Sequence, residues 1–197
     1  MEPNPAELFL HIFGVIGVFV GYGTLLLATT ALGRARKIEE VRVIAEALTA
    51  GRRIGFEQIS VIDMIVVVAV LVVGVTGLDM ARYTGDWHSG WVPVAIVSLL
   101  LLAPVGPLII NPRMQAIARA AAGDSIGELP RSVRSRVEDE VLSVALKTSF
   151  AILIGITFLM TLKPSLLWSV AAMMTAMAGG AAWAAAGMVA NRLVRHR

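Results

Sequence analysis

Five long apolar stretches constrain this chain more than any other feature: Leu8–Leu32, Ile59–Leu78, Trp91–Ile110, Leu142–Leu162 and Leu166–Ala190. Each is about as long as the ~20 residues a helix needs to cross a ~30 Å hydrocarbon layer. Repeated five times, such runs exclude a core solvated by water. The sequence therefore reads as an all-α, polytopic membrane helical bundle in a single domain, 1–197. Its transmembrane helices are expected over about 8–32, 56–78, 91–111, 142–162 and 166–190, with cytoplasmic helical connections at 33–55 and 112–141.

Composition agrees. The chain is 57% hydrophobic, where a soluble domain is nearer 45–50%. The net charge of +3 does not point to nucleic acid, because the basic residues sit at helix ends and no basic patch carries interleaved aromatics. Cysteine is absent, which removes disulfides, thiolate metal sites and a thiol nucleophile. The first stretch follows Met1-Glu2-Pro3-Asn4-Pro5-Ala6-Glu7, an acidic start. A signal peptide begins basic and has a shorter apolar core, so this segment is expected to stay as the first membrane helix.

The arginines assign sides. Of the 17 Lys and Arg residues, 14 fall in the first connection, the third connection and the tail. Positive residues stay cytoplasmic, so the N-terminus is expected outside and the C-terminus inside a bacterial inner membrane. Tyr83, Trp87, Trp91 and Trp168 fall on the predicted outer boundary, the headgroup level that such rings prefer. Within the first connection, Ile38, Val41, Ile44, Ala45 and Leu48 recur at helical spacing, which predicts an amphipathic helix that lies on the membrane or extends the first span. Arg113–Ala122 also reads as helix, with Gly123 as its stop. Gly127–Pro130 breaks the chain, and Ser132–Glu140 leads into the fourth span. Lys163-Pro164-Ser165 is a turn short enough to make the last two helices antiparallel neighbours.

Lipid tails are as apolar as leucine, so membrane helices associate through small residues and polar contacts. The first helix carries Gly14, Gly17, Gly21 and Gly23, and the fifth carries Ala176, Gly180 and Ala184 beside Gly179 and Gly187. Both are expected to approach a neighbour closely. Pro104 and Pro107 each remove a backbone donor and should kink the third helix.

Ionisable groups inside a membrane are costly and mark candidate sites. Here they are His11, Glu57, Asp63 and Lys147. At 1.5 Å per residue, His11 lies about 5 Å below the outer surface, Asp63 roughly 12 Å and Lys147 roughly 8 Å from the cytoplasmic one. Asp63 and Lys147 are expected to form an intramembrane ion pair, with Glu57 as the competing partner. That pair either fixes helix packing or relays protons. His11 shares a face with Gly14, Gly21 and Tyr22, where small residues leave room for a flat cofactor. It could ligate haem or a metal, and Met160, Met173 and Met177 could add thioethers suited to Cu(I). Asp79, Asp86 and His88 lie in an outer loop as solvated residues or weak cation ligands. No HExxH, GxSxG or phosphate-binding loop occurs, and no catalytic residue is assigned.

Leu10-His11-Ile12 opens the first helix ahead of its glycines, Trp91 opens the third, and Leu162-Lys163-Pro164 closes the fourth. Across residues 8–164 this order resembles a bacterial family of integral membrane proteins of unknown function. That family is distantly similar to copper-resistance protein D and to the membrane protoporphyrinogen oxidase that carries haem b. The resemblance implies a four-helix core, with the fifth helix added, and His11 as a haem b ligand. The haem-carrying relatives have a lysine shortly after the third-helix tryptophan. Here Ala95 stands nearest that position.

Three functions are consistent with these residues. The first is a non-enzymatic membrane protein acting through helix packing, either self-associating or as an accessory subunit, with the bilayer and other membrane subunits as its partners and no nucleic acid. The second is a haem- or copper-binding redox protein built on His11. The third is a small proton-coupled permease using Asp63 and Lys147.

Overall fold

The computed structural model describes residues 4–54, 57–123 and 126–195; the side chains of 52–54, 57–59 and 191–195 lie outside that description. Five of its helical segments are long and apolar enough to cross a membrane, and the protein is a multi-pass helical bundle. The first, α1, runs Pro5–Arg34. Asn4 caps it by accepting from the Ala6 N–H at 3.1 Å, and Pro5 sits where a missing donor costs nothing. After a break at Ala35–Lys37 comes α2, Ile38–Thr49. Two strands, β1 (Gly51–Ile54) and β2 (Glu57–Ser60), pair antiparallel with Gly51 opposite Ser60. The second span, α3, is Val61–Thr84.

This start differs from the expected 56–78. Ser60 and Asp63 form a reciprocal cap: the Asp63 N–H donates to Ser60 Oγ at 3.0 Å and the Ser60 N–H to Asp63 Oδ2 at 3.2 Å. That arrangement satisfies two of the orphan donors of a helix start and fixes where the helix begins. At the other end α3 continues past Leu78 through the polar Asp79–Thr84 and stops at Gly85, whose φ of +73° is in the region glycine enters without strain.

The third span is continuous from Trp91 to Ala121. It comprises α4 (Trp91–Leu102), a wide π turn over Gly106–Ile110 and α5 (Asn111–Ala121). Proline accounts for the irregular middle: Pro104 and Pro107 cannot donate, and the widened turn absorbs the lost bonds. A short helix, α6 (Arg131–Val137), precedes α7 (Glu140–Leu162). Asp139 caps α7, accepting from Val141 and Leu142 at 2.8 and 3.4 Å. The last helix, α8, is Leu166–Arg195.

Two antiparallel pairs, α1 with α3 and α7 with α8, make the bundle, with α4 and α1 both leaning on α7. Glycines set the closeness of each pair. A Cβ on Gly14 would lie 2.9 Å from Val73 Cγ2, and one on Gly17 would lie 3.0 Å from Ala69 Cβ. The pairs meet where Phe19 and Phe150 pack edge to face at 5.7 Å and where buried Tyr22 faces buried Ser149.

At the arginine-rich end, α2 neither extends α1 nor turns its apolar stripe to lipid. Ile38, Val41, Ala45 and Leu48 are buried against α5, whose Met114, Ile117 and Ala121 are buried in turn. Arg42 ties the two by donating to the carbonyls of Ala121 and Gly123. Each amphipathic helix supplies the other with the apolar surface it needs, and the bundle core continues into this small cap.

Candidate functional site

The structure sends the ionisable residues of the spans to separate partners. Asp63 belongs to the α3 cap just described, which occupies its carboxylate with a backbone N–H. Lys147 lies on α7, and its ammonium sits over the Trp183 ring of α8, 5.7 Å from the centroid. The expected Asp63–Lys147 ion pair is therefore not formed. The two residues sit on different helix pairs, since α3 packs chiefly on α1 and α7 chiefly on α8. The Glu57 side chain lies outside the described residues.

His11 bridges α1 and α3. The Thr76 hydroxyl donates to the Val72 carbonyl at 2.6 Å, so His11 Nδ1 is the donor in the 2.9 Å bond to Thr76 Oγ1. Its ring lies on Gly77, where a Cβ would come 3.1 Å from Cε1. The glycines expected to leave room for a flat cofactor are instead filled by α3: Gly14 by Val72 and Val73, and Gly21 by Val66. Those residues fit a helix contact and do not fit a porphyrin.

The methionines are placed elsewhere. Met173 is buried against Gly155 of α7, and Met177 shares with it the wall of an apolar cavity of about 630 Å³ between α4, α7 and α8. Met160 packs into the core on α7. His11, against Thr76 and Gly77, is not part of that cavity, so the four residues are not brought together as a copper site. Among the described residues no group of three or more His, Asp or Glu is arranged to hold a metal ion.

A second, polar cavity of about 320 Å³ opens at the arginine-rich end between α1, α7 and α8. Lys147, Arg34 and Ser143 contribute to its wall, and Glu138, Asp139 and Glu140 form its rim. The α8 wall is shaped for the lysine: a Cβ on Gly187 would stand 2.8 Å from Lys147 Nζ. Trp183 and Gly187, one turn apart, thus make a seat for a cation supplied by α7.

At the opposite end a polar cluster holds two loops together. Lys163 Nζ donates to Asp86 Oδ2 at 2.7 Å and lies 5.6 Å above the Trp91 ring. Thr84 and Ser89 also donate to Asp86. The lysine pulls the Asp86 carboxyl below its usual range, with the hydroxyl donors adding to the effect. Asp86 is thus engaged within the protein. The sequence places it in an outer loop, as a solvated residue or a weak cation ligand, and a charge pair spanning residues 86 and 163 leaves no local pattern to find. Trp91 and Lys163, both part of the family resemblance, are in contact. Next to them Gly90 admits the Leu166 backbone.

The middle of the outward face of α8 carries mostly small side chains. Ala171, Thr175, Ala178, Ala182, Ala185 and Val189 recur at three- and four-residue spacing, and all are exposed. They lie opposite the α7-facing row of Met173, Gly180 and Ala184, which is buried. A Cβ on Gly179, at the edge of this face, would meet nothing within 4 Å. The start of α8 and its flank expose Leu167, Trp168 and Met174, and the other helices expose Phe9, Phe13 and Ile16 on α1, Val68 and Leu71 on α3, and Leu100 and Leu101 on α4.

No known family, no curated protein and no solved structure matches this chain.

Proposed function

We propose that this protein acts by helix contact in the bacterial inner membrane, its arginine-rich end cytoplasmic, and that it self-associates through the outward face of α8. The observation that carries the reading is the contrast between that face and the rest of the bundle's exterior. A surface that stays in lipid gains from Leu, Ile, Val and Phe, each worth about −0.3 to −0.6 kcal/mol toward insertion. Helices α1, α3 and α4 present such residues outward. The middle of the outward face of α8, from Ala171 to Ala185, presents alanine and threonine, residues that let two helix backbones approach. The helix is also the least apolar of the five spans.

Closed symmetric assemblies in a membrane place their axis along the bilayer normal, so α8 would meet its own copy in parallel. Like positions then face like, and a row of small side chains is complementary to itself. Ala178 and Ala182 fall nearest the axis.

The natural absence of cysteine makes the test direct. Single cysteines at Ala178 and Ala182 should cross-link to dimer under mild oxidation in native membranes, while one at Leu71 on α3 should not. The double change Ala178→Leu and Ala182→Leu should abolish the dimer without lowering membrane insertion. Equal cross-linking at Leu71, or none at either α8 position, refutes self-association. In the second case, a cross-link to a different chain would make the protein an accessory subunit.

A further inference from the structure

We propose that the apolar cavity between α4, α7 and α8 holds an uncharged, lipid-soluble molecule with a carbonyl oxygen, to which the Thr148 hydroxyl donates. The first observation is the shape of the cavity and its lining. Its volume of about 630 Å³ is within the roughly 300–1,000 Å³ of ordinary ligand sites. Its wall on α7 runs from Val141 to Ile152, and on the third span from Ser98 to Ile109. Each stretch is about 16 Å long at the rise of a helix, so the cavity is a slot along the helices. Such a slot suits an elongated molecule standing parallel to the lipid chains. Met173, Met177 and Met188 line it on α8. Their thioether chains adapt to an irregular guest and make favourable contacts with ring edges. The π turn borders the slot through Val105 and Ile109, and turns of this kind recur at functional sites.

The second observation is one hydroxyl. A threonine inside a helix can satisfy itself by donating to the carbonyl four residues back. Every other threonine of this chain does so, Thr24, Thr76, Thr157 and Thr175 among them. Thr148, on the wall of the slot, does not: its Oγ1 is buried and has no partner among the described residues. An unpaired hydroxyl is costly where no water enters. The other polar groups on the wall are engaged. Ser98 donates to the Val94 carbonyl at 2.7 Å, buried Ser149 meets Tyr22, and Glu140, at one end, already has a partner. A threonine in a helix has two χ1 positions open to it, so the Thr148 hydroxyl can turn to a guest oxygen without moving the backbone. A hydroxyl short of an acceptor selects a carbonyl over a plain hydrocarbon. The glycerol esters of a phospholipid stay beside their headgroup, whereas Thr148 lies about 12 Å along α7 from the charged Glu140 that begins the helix. A quinone or a neutral acyl ester carries its carbonyl free of any charged headgroup and can reach that level.

The test is native mass spectrometry of the purified full-length protein in mild detergent, offered decylbenzoquinone, methyl laurate or decylbenzene. A carbonyl compound should be retained, and decylbenzene roughly fivefold less, the factor for one hydrogen bond of about 1 kcal/mol. Whichever carbonyl compound is retained more strongly names the source, quinone or acyl ester. Thr148→Val, which keeps the shape of the side chain, should bring all three probes to the same weak retention. Without any probe it should melt no lower than the parent, since it removes an unpaired buried group. Thr148→Ser should keep the preference. Ala145→Phe, on the same wall, should fill the slot and abolish retention of every probe, with melting as the check that it folds. Equal retention of decylbenzene overturns the proposal, as does a preference that survives Thr148→Val, or retention that survives in folded Ala145→Phe. A Thr148→Val variant that melts well below the parent would show that the hydroxyl has a partner already, and overturns it too. Displacement of the probes by phosphatidylcholine at equal concentration would make the slot one for ordinary lipid chains, with the same consequence.

Discussion

Adding one methyl group at Gly180 should loosen the α7–α8 pair, while the same methyl at Gly179 should not. A Cβ on Gly180 would stand 2.6 Å from Thr148 Cα, 3.0 Å from Ala151 Cβ and 3.1 Å from the Lys147 carbonyl oxygen. Ordinary contact begins near 3.4 Å. Two of these three neighbours are backbone atoms, which no side-chain rotation can move aside. Helix α8 must therefore retreat by roughly 0.8 Å, a gap that forfeits about a quarter to a half of each dispersion contact along the seam. The loss spreads, because Gly155 on α7 is also packed closely on this face: a Cβ there would lie 2.9 Å from Met173 Sδ and 3.1 Å from Ala176 Cβ. In membranes this packing is the principal attraction between helices, since lipid excludes apolar surface no better than protein does. Gly180→Ala is expected to cost about 1–3 kcal/mol. Gly179→Ala meets open space and removes backbone freedom from the unfolded chain, a gain of about 0.5–1 kcal/mol. Reversible unfolding in mild detergent, followed by near-ultraviolet circular dichroism, measures both. The reasoning fails if the two variants melt together, or if Gly179→Ala is the more damaging.

Three further outcomes follow from the described contacts. Ser60→Ala should destabilise the start of α3 by about 0.5–2 kcal/mol through loss of the cap, seen as faster hydrogen exchange at Ile62 and Asp63 with Trp183 emission unchanged. Ile117→Ala, deep between α2 and α5, should cost about 2–5 kcal/mol in the same unfolding assay. Asp86 is held below its ordinary value of 3.8 by Lys163, so its contribution to folding is complete above that value and is lost as pH falls through the lowered folded-state value. Asp86→Asn should therefore lower stability at neutral pH slightly and flatten the acid limb of a stability–pH profile, the slight loss reflecting an exposed pair screened by solvent.

The five spans were legible because each carries its own signal: length and apolarity are local. Azimuth around the bundle was not. Nothing in the sequence around Asp63 or Lys147 states that α3 turns to α1 and α7 to α8. A local signal did exist for Asp63, since Ser60-Val61-Ile62-Asp63 has the spacing of a reciprocal helix cap. The apolar stripe of α2 announced a buried face without naming its cover. That cover, α5, arrives some 60 residues later in sequence. The π turn was half legible, in that the prolines marked an irregularity and left its form open. The Trp183–Gly187 seat was hidden because a tryptophan and a glycine four residues apart are ordinary membrane residues until a lysine from another helix lies between them.

That seat allows a sharper contrast than Gly180 offers. Gly187 lies seven residues further along the same face of α8, and a Cβ there would also intrude, at 2.8 Å from Lys147 Nζ. The neighbour is now the free end of a four-carbon chain with several rotatable bonds, not a helix backbone. Gly187→Ala should therefore leave the melting temperature close to that of the parent while displacing the ammonium from the Trp183 ring. Trp183 emission should shift, and the shift should vanish in a Lys147→Met background, where there is no cation to displace. If instead Gly187→Ala unfolds the protein as Gly180→Ala does, then α7 and α8 are in backbone contact at this level too. The two glycines thus separate a backbone contact that holds the helices together from a side-chain contact that only seats a cation.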